Sequence, residues 1–246
     1  KNILENRPDF KVIISSATIN AEVFSTYFNG APVVHIETQM YPVQVIYDEP
    51  HTSDGDALVE EISEIVVRTV KSDRSGDILI FLQGERNIKD CLAELEASPV
   101  SKRLFLLPLY GRLSKEEQDR VFIPTPEGKT KVVISTNIAE TSVTIDGITT
   151  VIDSGLAKLN YYTPRTYTSS LIEGPISKAS CNQRKGRAGR TQPGTCYRLY
   201  SKKDFDNRQL FTTEEIYRTD LSEVVLRMSE LGITDFENFH FISPPG

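Results

Sequence analysis

Short runs of β-branched residues alternate with amphipathic stretches along most of this chain, and no other feature limits its possible folds so strongly. Val12–Ser15, Val33–Ile36, Val43–Tyr47, Ile78–Leu82, Leu104–Leu107, Val132–Ser135 and Thr149–Ile152 read as strands from their length and composition. Asp56–Val70 and Asn87–Ala97 read as helices. The first carries Leu58, Ile62, Ile65 and Val66 at helical spacing, and Gly84 and Glu85 open the second. Strands and helices in alternation require parallel crossovers, hence an open, mostly parallel α/β sheet flanked by helices. Ligands of such sheets sit in loops beyond the carboxyl ends of the strands.

The 246 residues, 39% of them hydrophobic, suffice for one sizeable core and part of a second. One boundary is expected at Thr38–Pro42. After Tyr200 the pattern changes, and Leu221, Val224, Val225, Met228 and Leu231 form a helical stripe ended by Gly232. The segment 201–246 therefore reads as the start of another, helical domain. The chain opens at Lys1 with no leader, so the expectation is a start inside a longer protein. No apolar stretch approaches the roughly 18–20 residues of a membrane span. Cys91, Cys181 and Cys196 form no C-x-x-C pair, and His35, His51 and His240 have no ligand-like spacing. Neither a metal site nor a disulfide scaffold is expected, and a reducing compartment fits best.

The formal net charge of -6 argues against a nucleic-acid binder only if charge is uniform, and it is not. Between Lys178 and Arg208 nine basic residues face only Asp204 and Asp206. Within that window Gln183-Arg184-Lys185-Gly186-Arg187-Ala188-Gly189-Arg190 stands out. Arg187 and Arg190 are three apart, so on a helix they converge on one ligand. Gly186 and Gly189 would each cost a helix roughly 1 kcal/mol, which makes sense where a backbone or a phosphate must approach closely. Guanidinium forks suit phosphate oxygens better than ammonium groups do.

This octapeptide resembles motif VI of superfamily 2 helicases, the DEAH-box RNA helicases in particular. Ser16-Ala17-Thr18 resembles motif III, Ile80-Phe81-Leu82-Gln83-Gly84-Glu85 motif IV, and Ser135–Gly147 motif V of the same family. Gly84-Glu85-Arg86 with Gln183–Gly186 leans toward the bacterial HrpA-type members over the splicing factors. Asp153-Ser154-Gly155 departs from the Asp-Pro-Gly usual in the family, which should alter loop stiffness.

The resemblance implies two RecA-like domains with nucleotide between them and RNA across their top. Residues 1–38 would be the tail of the first, 39–200 the second, and 201–246 the entry to a winged-helix domain. Arg187 and Arg190 would reach the β- and γ-phosphates of ATP, or of other nucleoside triphosphates, and Gln183 would orient the attacking water. Asp146 would hold the ribose, Phe122 would stack on the base, and Gly186 and Thr144 would complete the nucleotide wall. Thr136, Asn137, Gly111, Arg112 and Gly84 would contact the backbone of single-stranded RNA. Tyr161, Tyr162 and Tyr167, with Lys158 and Arg165, would form a β-hairpin beside it. Ser16 and Thr18 would couple the two domains. The phosphate loop and the Mg²⁺ site would belong to the first domain, so this stretch alone should be inactive.

Two segments imitate those missing parts. Gly128-Lys129-Thr130 ends like a phosphate-binding loop, but Ile123 stands where its first glycine is required. Asp48-Glu49-Pro50-His51 resembles a magnesium box yet follows the Ser-Ala-Thr motif instead of preceding it. Two other functions compete with an RNA helicase motor: a non-catalytic nucleic-acid-binding module of the same fold, and a DNA-directed motor. A cytoplasmic location is expected, bacterial for an HrpA-type member and nuclear for a splicing-type one, with protein activators left open.

Overall fold

The computed structural model describes residues 2–7, 9–16, 20–36, 40–50, 55–72, 76–236 and 238–244. It divides into two compact units, the larger comprising Gln39–Leu159 with Leu171–Thr212 and the smaller Lys1–Thr38, Asn160–Ser170 and Thr213–Gly246. In chain order the smaller unit begins with α1 (Asn2–Asn6) and α2 (Ala21–Tyr27). Next come β1 (Val43–Tyr47), α3 (Gly55–Lys71), β2 (Asp77–Phe81), α4 (Glu85–Ala97) and β3 (Leu104–Leu109). The short helix α5 (Lys115–Asp119) runs into a 3-10 turn, Arg120–Phe122, and is followed by β4 (Thr130–Ser135), α6 (Ile138–Thr141) and β5 (Ile148–Asp153). A hairpin of β6 (Leu156–Thr163) and β7 (Thr168–Pro175) leads to α7 (Lys178–Gly186), β8 (Gly194–Arg198), α8 (Lys202–Asn207) and α9 (Ser222–Glu230).

Six strands form one sheet in the order β1-β8-β5-β2-β4-β3, and every neighbouring pair is parallel. This is the open α/β sheet that the alternation predicts. Its faces are closed by different elements. Ile62, Ile65 and Val66 of α3 and Ile88, Cys91 and Leu95 of α4 cover one face, against Ile78, Ile80 and Ile134. On the other, Val121, Ala139, Ile145 and Ala188 pack on Leu79, Phe81, Val133 and Val151. Each valine, leucine, isoleucine and phenylalanine among them contributes about 1.5–3 kcal/mol through burial, so both faces are strongly fixed.

Two expected strands do not form. Residues 12–15 and 33–36 carry no strand, and Ile13, Val34 and Ile36 are 91%, 79% and 84% exposed. β-branched content favours extended backbone, but a strand also needs a neighbour for its N–H and C=O groups. Conversely the sequence pattern predicts no strand at β8, which lies inside the sheet, paired with both β1 and β5. Its sequence, Gly-Thr-Cys-Tyr-Arg, hides among the cations of the basic window.

That window is not a basic face. Arg184, Arg187 and Arg198 are 0%, 7% and 2% exposed. Arg198 lies 4.1 Å over the Phe205 ring and donates to the Tyr47 hydroxyl. Arg208 lies 3.9 Å over Tyr200, pairs with Asp204, and donates to the Gly155 carbonyl. These contacts hold Ser201–Thr212 with the sheet, so the larger unit runs past Tyr200 to Thr212. In the smaller unit α9 buries Met228 while Leu226 and Leu231 remain 67% and 71% exposed, and Gly232 ends the helix at φ +76°. Also there, Arg218 ties the hairpin tip to the C-terminal segment, donating to the Asn160 carbonyl and accepting from Tyr162 N–H.

Candidate nucleotide and nucleic-acid site

The motif-VI octapeptide bends. α7 ends at Gly186, and Arg187–Gly189 form a 3-10 turn capped by Arg190. Three-residue periodicity eclipses positions i and i+3, so Arg187 and Arg190 share a side even though neither lies in the α-helix. Gly189 lets the chain ahead of β1 approach the turn closely. A Cβ there would lie 2.6 Å from the Tyr41 carbonyl oxygen, and Tyr41 N–H donates to the Gly189 carbonyl. The close approach expected of this glycine is thus made by backbone, and Gly186 faces the end of the Met40 side chain.

The three arginines have different surroundings. Arg184 is enclosed. Its guanidinium pairs with Asp153 at 2.8 Å and Glu140 at 3.1 Å and lies 4.8 Å over the Phe81 ring. Burial pushes its pKa down, but Asp153 and Glu140 outweigh that and hold it above its ordinary value. Arg187 Nη1 donates to the Val143 carbonyl at 2.8 Å, and its Nε donates to the Glu140 carbonyl at 3.1 Å. Arg190 Nη1 donates to the Thr144 hydroxyl at 2.9 Å. Among the described residues neither Arg187 nor Arg190 forms an ion pair. Burial and then the charge of Arg190 push Arg187 down to about 10, which still leaves it a cation at neutral pH. Two guanidiniums side by side without a carboxylate partner are arranged to receive an anion.

Motif V is held by the same interactions. Glu140 accepts from the Ser180 hydroxyl and from Arg184, while its carbonyl takes Arg187. Asp153 accepts from Arg184, Gly155 N–H and the Tyr200 hydroxyl. Ser154 N–H donates to the Phe81 carbonyl, a bond that proline at this position could not make. Arg184, Glu140, Asp153 and Tyr200 are the determinants that motif reading passed over. Arg184 had one visible signal, its place three residues before Arg187.

The remaining nucleotide candidates share one face of the sheet. Phe122 follows the buried Val121, Thr144 and Asp146 flank the buried Ile145, and Arg187 precedes the buried Ala188, all in one cluster. Phe122 itself is 56% exposed, so more than half of it lies outside the core. Asp146 and Thr144 are exposed, and Gln183 is half-buried. A groove of about 850 Å³ lined by Glu60, Glu64, Arg68 and Lys71 of α3 with Glu94 lies on the other face, away from all of them.

The nucleic-acid candidates occupy a different region. Gly84 follows β2, Thr136 and Asn137 follow β4, and Gly111 and Arg112 follow β3. Because the sheet order is β2-β4-β3, these loops stand in a row at its carboxyl edge. Thr136 N–H donates to the Leu109 carbonyl, joining two of them. Arg112 is exposed and lies 3.9 Å from Glu85. Ser16 is exposed, and Thr18 lies outside the described residues.

The two imitations have other surroundings. Lys129 sits in a turn that enters strand β4, whereas a phosphate loop opens a helix. Asp48 accepts from Arg68, and His51 lies outside the described residues. Among the described residues no group of three or more His, Cys, Asp or Glu could hold a metal, and no helix is long and apolar enough to cross a membrane. The three cysteines are buried free thiols, and burial raises the pKa of each, that of Cys91 to about 12.

Residues 57–192 match the family model described as the helicase conserved C-terminal domain. The chain is 54% identical over 245 residues to the ATP-dependent RNA helicase HrpA of Borreliella burgdorferi, covering 100% of this chain and 30% of that protein. To the ATP-dependent RNA helicase HrpA of Escherichia coli it is 44% identical over 247 residues, covering 100% and 19%. The probable ATP-dependent RNA helicase DHX34 of Mus musculus is 42% identical over 255 residues, covering 100% and 22%. The solved structure of the Escherichia coli DEAH/RHA helicase HrpB superposes with a TM-score of 0.87 at 33% identity, covering 100% of this chain and 31% of that one. The chain spans less than a third of each of these relatives. The sheet is RecA-like, the motif resemblance to HrpA-type helicases holds along the whole chain, and the chain belongs to the family of the helicase conserved C-terminal domain.

Proposed function

We propose that this chain is the arginine-bearing part of an ATP-dependent RNA helicase motor. The observation that carries the reading is the pair Arg187 and Arg190, adjacent, cationic and without an ion-pair partner among the described residues, on the face that also presents the exposed ring of Phe122. Bound nucleotide supplies the phosphoryl group to be transferred and the negative charge that grows on it. Arg190, and Arg187 once released from the Val143 and Glu140 carbonyls, neutralise that charge. Gln183 orients the attacking water, Asp146 accepts from the ribose, and Thr144 fixes the Arg190 fork. Gly186 leaves room for the end of the Met40 side chain beside that wall. The phosphate loop and the residues holding Mg²⁺ belong to a first RecA-like domain, of which residues 1–38 are the tail, with Ser16 and Thr18 as its coupling residues. Residues 39–200 are the second such domain, against which Ser201–Thr212 also packs, and 201–246 lead into a winged-helix domain. Such a protein works in the cytoplasm.

Stacking accepts any base, so Phe122 adds affinity without selectivity. Phe122→Ala is expected to raise KM for ATP and GTP alike by roughly 5-fold or more, from a stacking contribution of about 1 kcal/mol upward. A normal KM with lowered melting temperature would return Phe122 to a packing role.

The row of loops after β2, β4 and β3 serves single-stranded RNA through its backbone, by hydroxyl, amide and main-chain N–H groups. Thr136→Ala combined with Asn137→Ala in the full-length protein is expected to lower RNA-stimulated ATPase more than ATPase without RNA. Equal loss in both assays would place the pair in the nucleotide site or the fold instead.

A further inference from the structure

The carboxyl end of β2 carries a small polar cluster around Gln83, a side chain with no role in the arginine wall or in the RNA contacts that the resemblance implies. Gln83 is 7% exposed, and its side-chain Nε2 donates to Glu173 Oε1 on β7 at 3.4 Å. A carboxylate only accepts, so the amide must turn its NH₂ toward Glu173, which leaves Oε1 for another donor. Gln83 Oε1 is buried and has no hydrogen-bond partner among the described residues. A buried carbonyl without a donor is costly, and few persist without a reason.

The next residue explains what stands beside it. Gly84 is buried, and a Cβ there would lie 3.1 Å from Lys158 Nζ and 3.5 Å from its Cε. The Lys158 side chain therefore lies across Gly84, in space that any other residue would fill. Lys158 is exposed on β6 and forms no ion pair or hydrogen bond among the described residues. Lys158 and Glu173 are each third from the open end of their hairpin strand, so both belong to the base of the hairpin. Glu173 is held by the Gln83 amide. What remains for a ligand is a lone ammonium beside an unused carbonyl acceptor.

We propose that Gln83, Gly84 and Lys158 form a ribonucleotide-reading site, in which the Lys158 ammonium takes a backbone phosphate and Gln83 Oε1 accepts the neighbouring ribose 2′-hydroxyl. The chemistry selects the ligand. An ammonium binds phosphate whatever the sugar, whereas an acceptor pairs with the 2′-hydroxyl, the group that separates RNA from DNA. The cluster sits at the end of β2, next to the Thr136–Asn137 loop after β4, so it lies on the edge already assigned to RNA. The inference rests on that assignment and adds the discrimination of sugars, which phosphate contacts alone cannot supply.

The test measures binding of a ten-uridine RNA and its 2′-deoxy counterpart to the full-length protein without nucleotide. Gln83→Met keeps the volume and removes the acceptor. It is expected to weaken RNA binding about 3- to 10-fold, the worth of one net hydrogen bond, and DNA binding by less than about 2-fold. Its melting temperature should change little, because removal of an unpaired buried acceptor offsets the loss of the long bond to Glu173. Lys158→Ala should weaken both ligands by similar factors and lower the slope of log affinity against log salt by about 0.7. Equal losses for both sugars in Gln83→Met, or none, would overturn the hydroxyl assignment, and an unchanged salt slope in Lys158→Ala would remove the phosphate. If the unaltered protein binds neither oligonucleotide, the RNA reading itself falls, an outcome distinct from failure of the variants.

Discussion

Replacing Arg190 with alanine in the full-length protein is expected to lower kcat by at least about 10²-fold while leaving its melting temperature essentially unmoved. Cationic fingers that stabilise a transferring phosphoryl group contribute roughly 10³–10⁵ in turnover elsewhere, and the smaller figure allows for Arg187, which remains. The stability side follows from exposure. Arg190 is exposed and its one hydrogen bond, to Thr144, lies at the surface, where such contacts add little. Arg190→Lys should rescue poorly, since a point charge cannot reproduce the planar fork. RNA affinity without nucleotide should change less than about threefold, because this arginine is assigned to ATP and not to RNA phosphate. Normal kcat together with many-fold weaker RNA binding would move Arg190 from the nucleotide wall to the RNA track.

Arg184, six residues earlier, should behave in the opposite way. Arg184→Met is expected to destabilise the fold by about 3–5 kcal/mol, the usual consequence of stranding a buried charge. Asp153 is fully buried and loses its only cation among the described residues, keeping just the Gly155 N–H and the Tyr200 hydroxyl. Glu140 loses one of its two side-chain contacts with α7 and keeps that from the Ser180 hydroxyl. Against a total stability of about 5–15 kcal/mol this is a large share. Urea unfolding would register it as a lower midpoint with an unchanged slope. Adding Asp153→Asn should recover part of the loss, because the stranded charge is then gone. An Arg184→Met protein that unfolds like the original yet has no ATPase would instead make Arg184 a member of the site.

These two arginines share one octapeptide, and composition cannot separate them. Their spacing, six residues with Arg187 midway, fixes their separation along the chain and no more. It does not show which of them meets carboxylates. Asp153 and Glu140 stand 31 and 44 residues from Arg184 and reach it only because β5 and α6 fold against α7. The same limit hid β8, whose arginine looked like surface charge until Phe205 and Tyr47 were packed around it.

Local pattern by itself determined β1 to β5, α3 and α4, since hydrophobic period is a property of neighbouring residues. It likewise determined the motifs and the rejection of the Gly128–Thr130 imitation, whose missing glycine is a matter of spacing alone. Only the tertiary structure decided that residues 12–15 and 33–36 are not strands, that Phe122 is exposed, and that Gln83 holds an unused acceptor. It alone set the loops after residues 84, 136 and 111 in a row, through the order β2-β4-β3, which differs from chain order. The physical reason is common to all of these. Whether a polar group or an apolar run finds a partner depends on segments distant in sequence, and partners, more than propensity, decide what is buried and what is left free to bind.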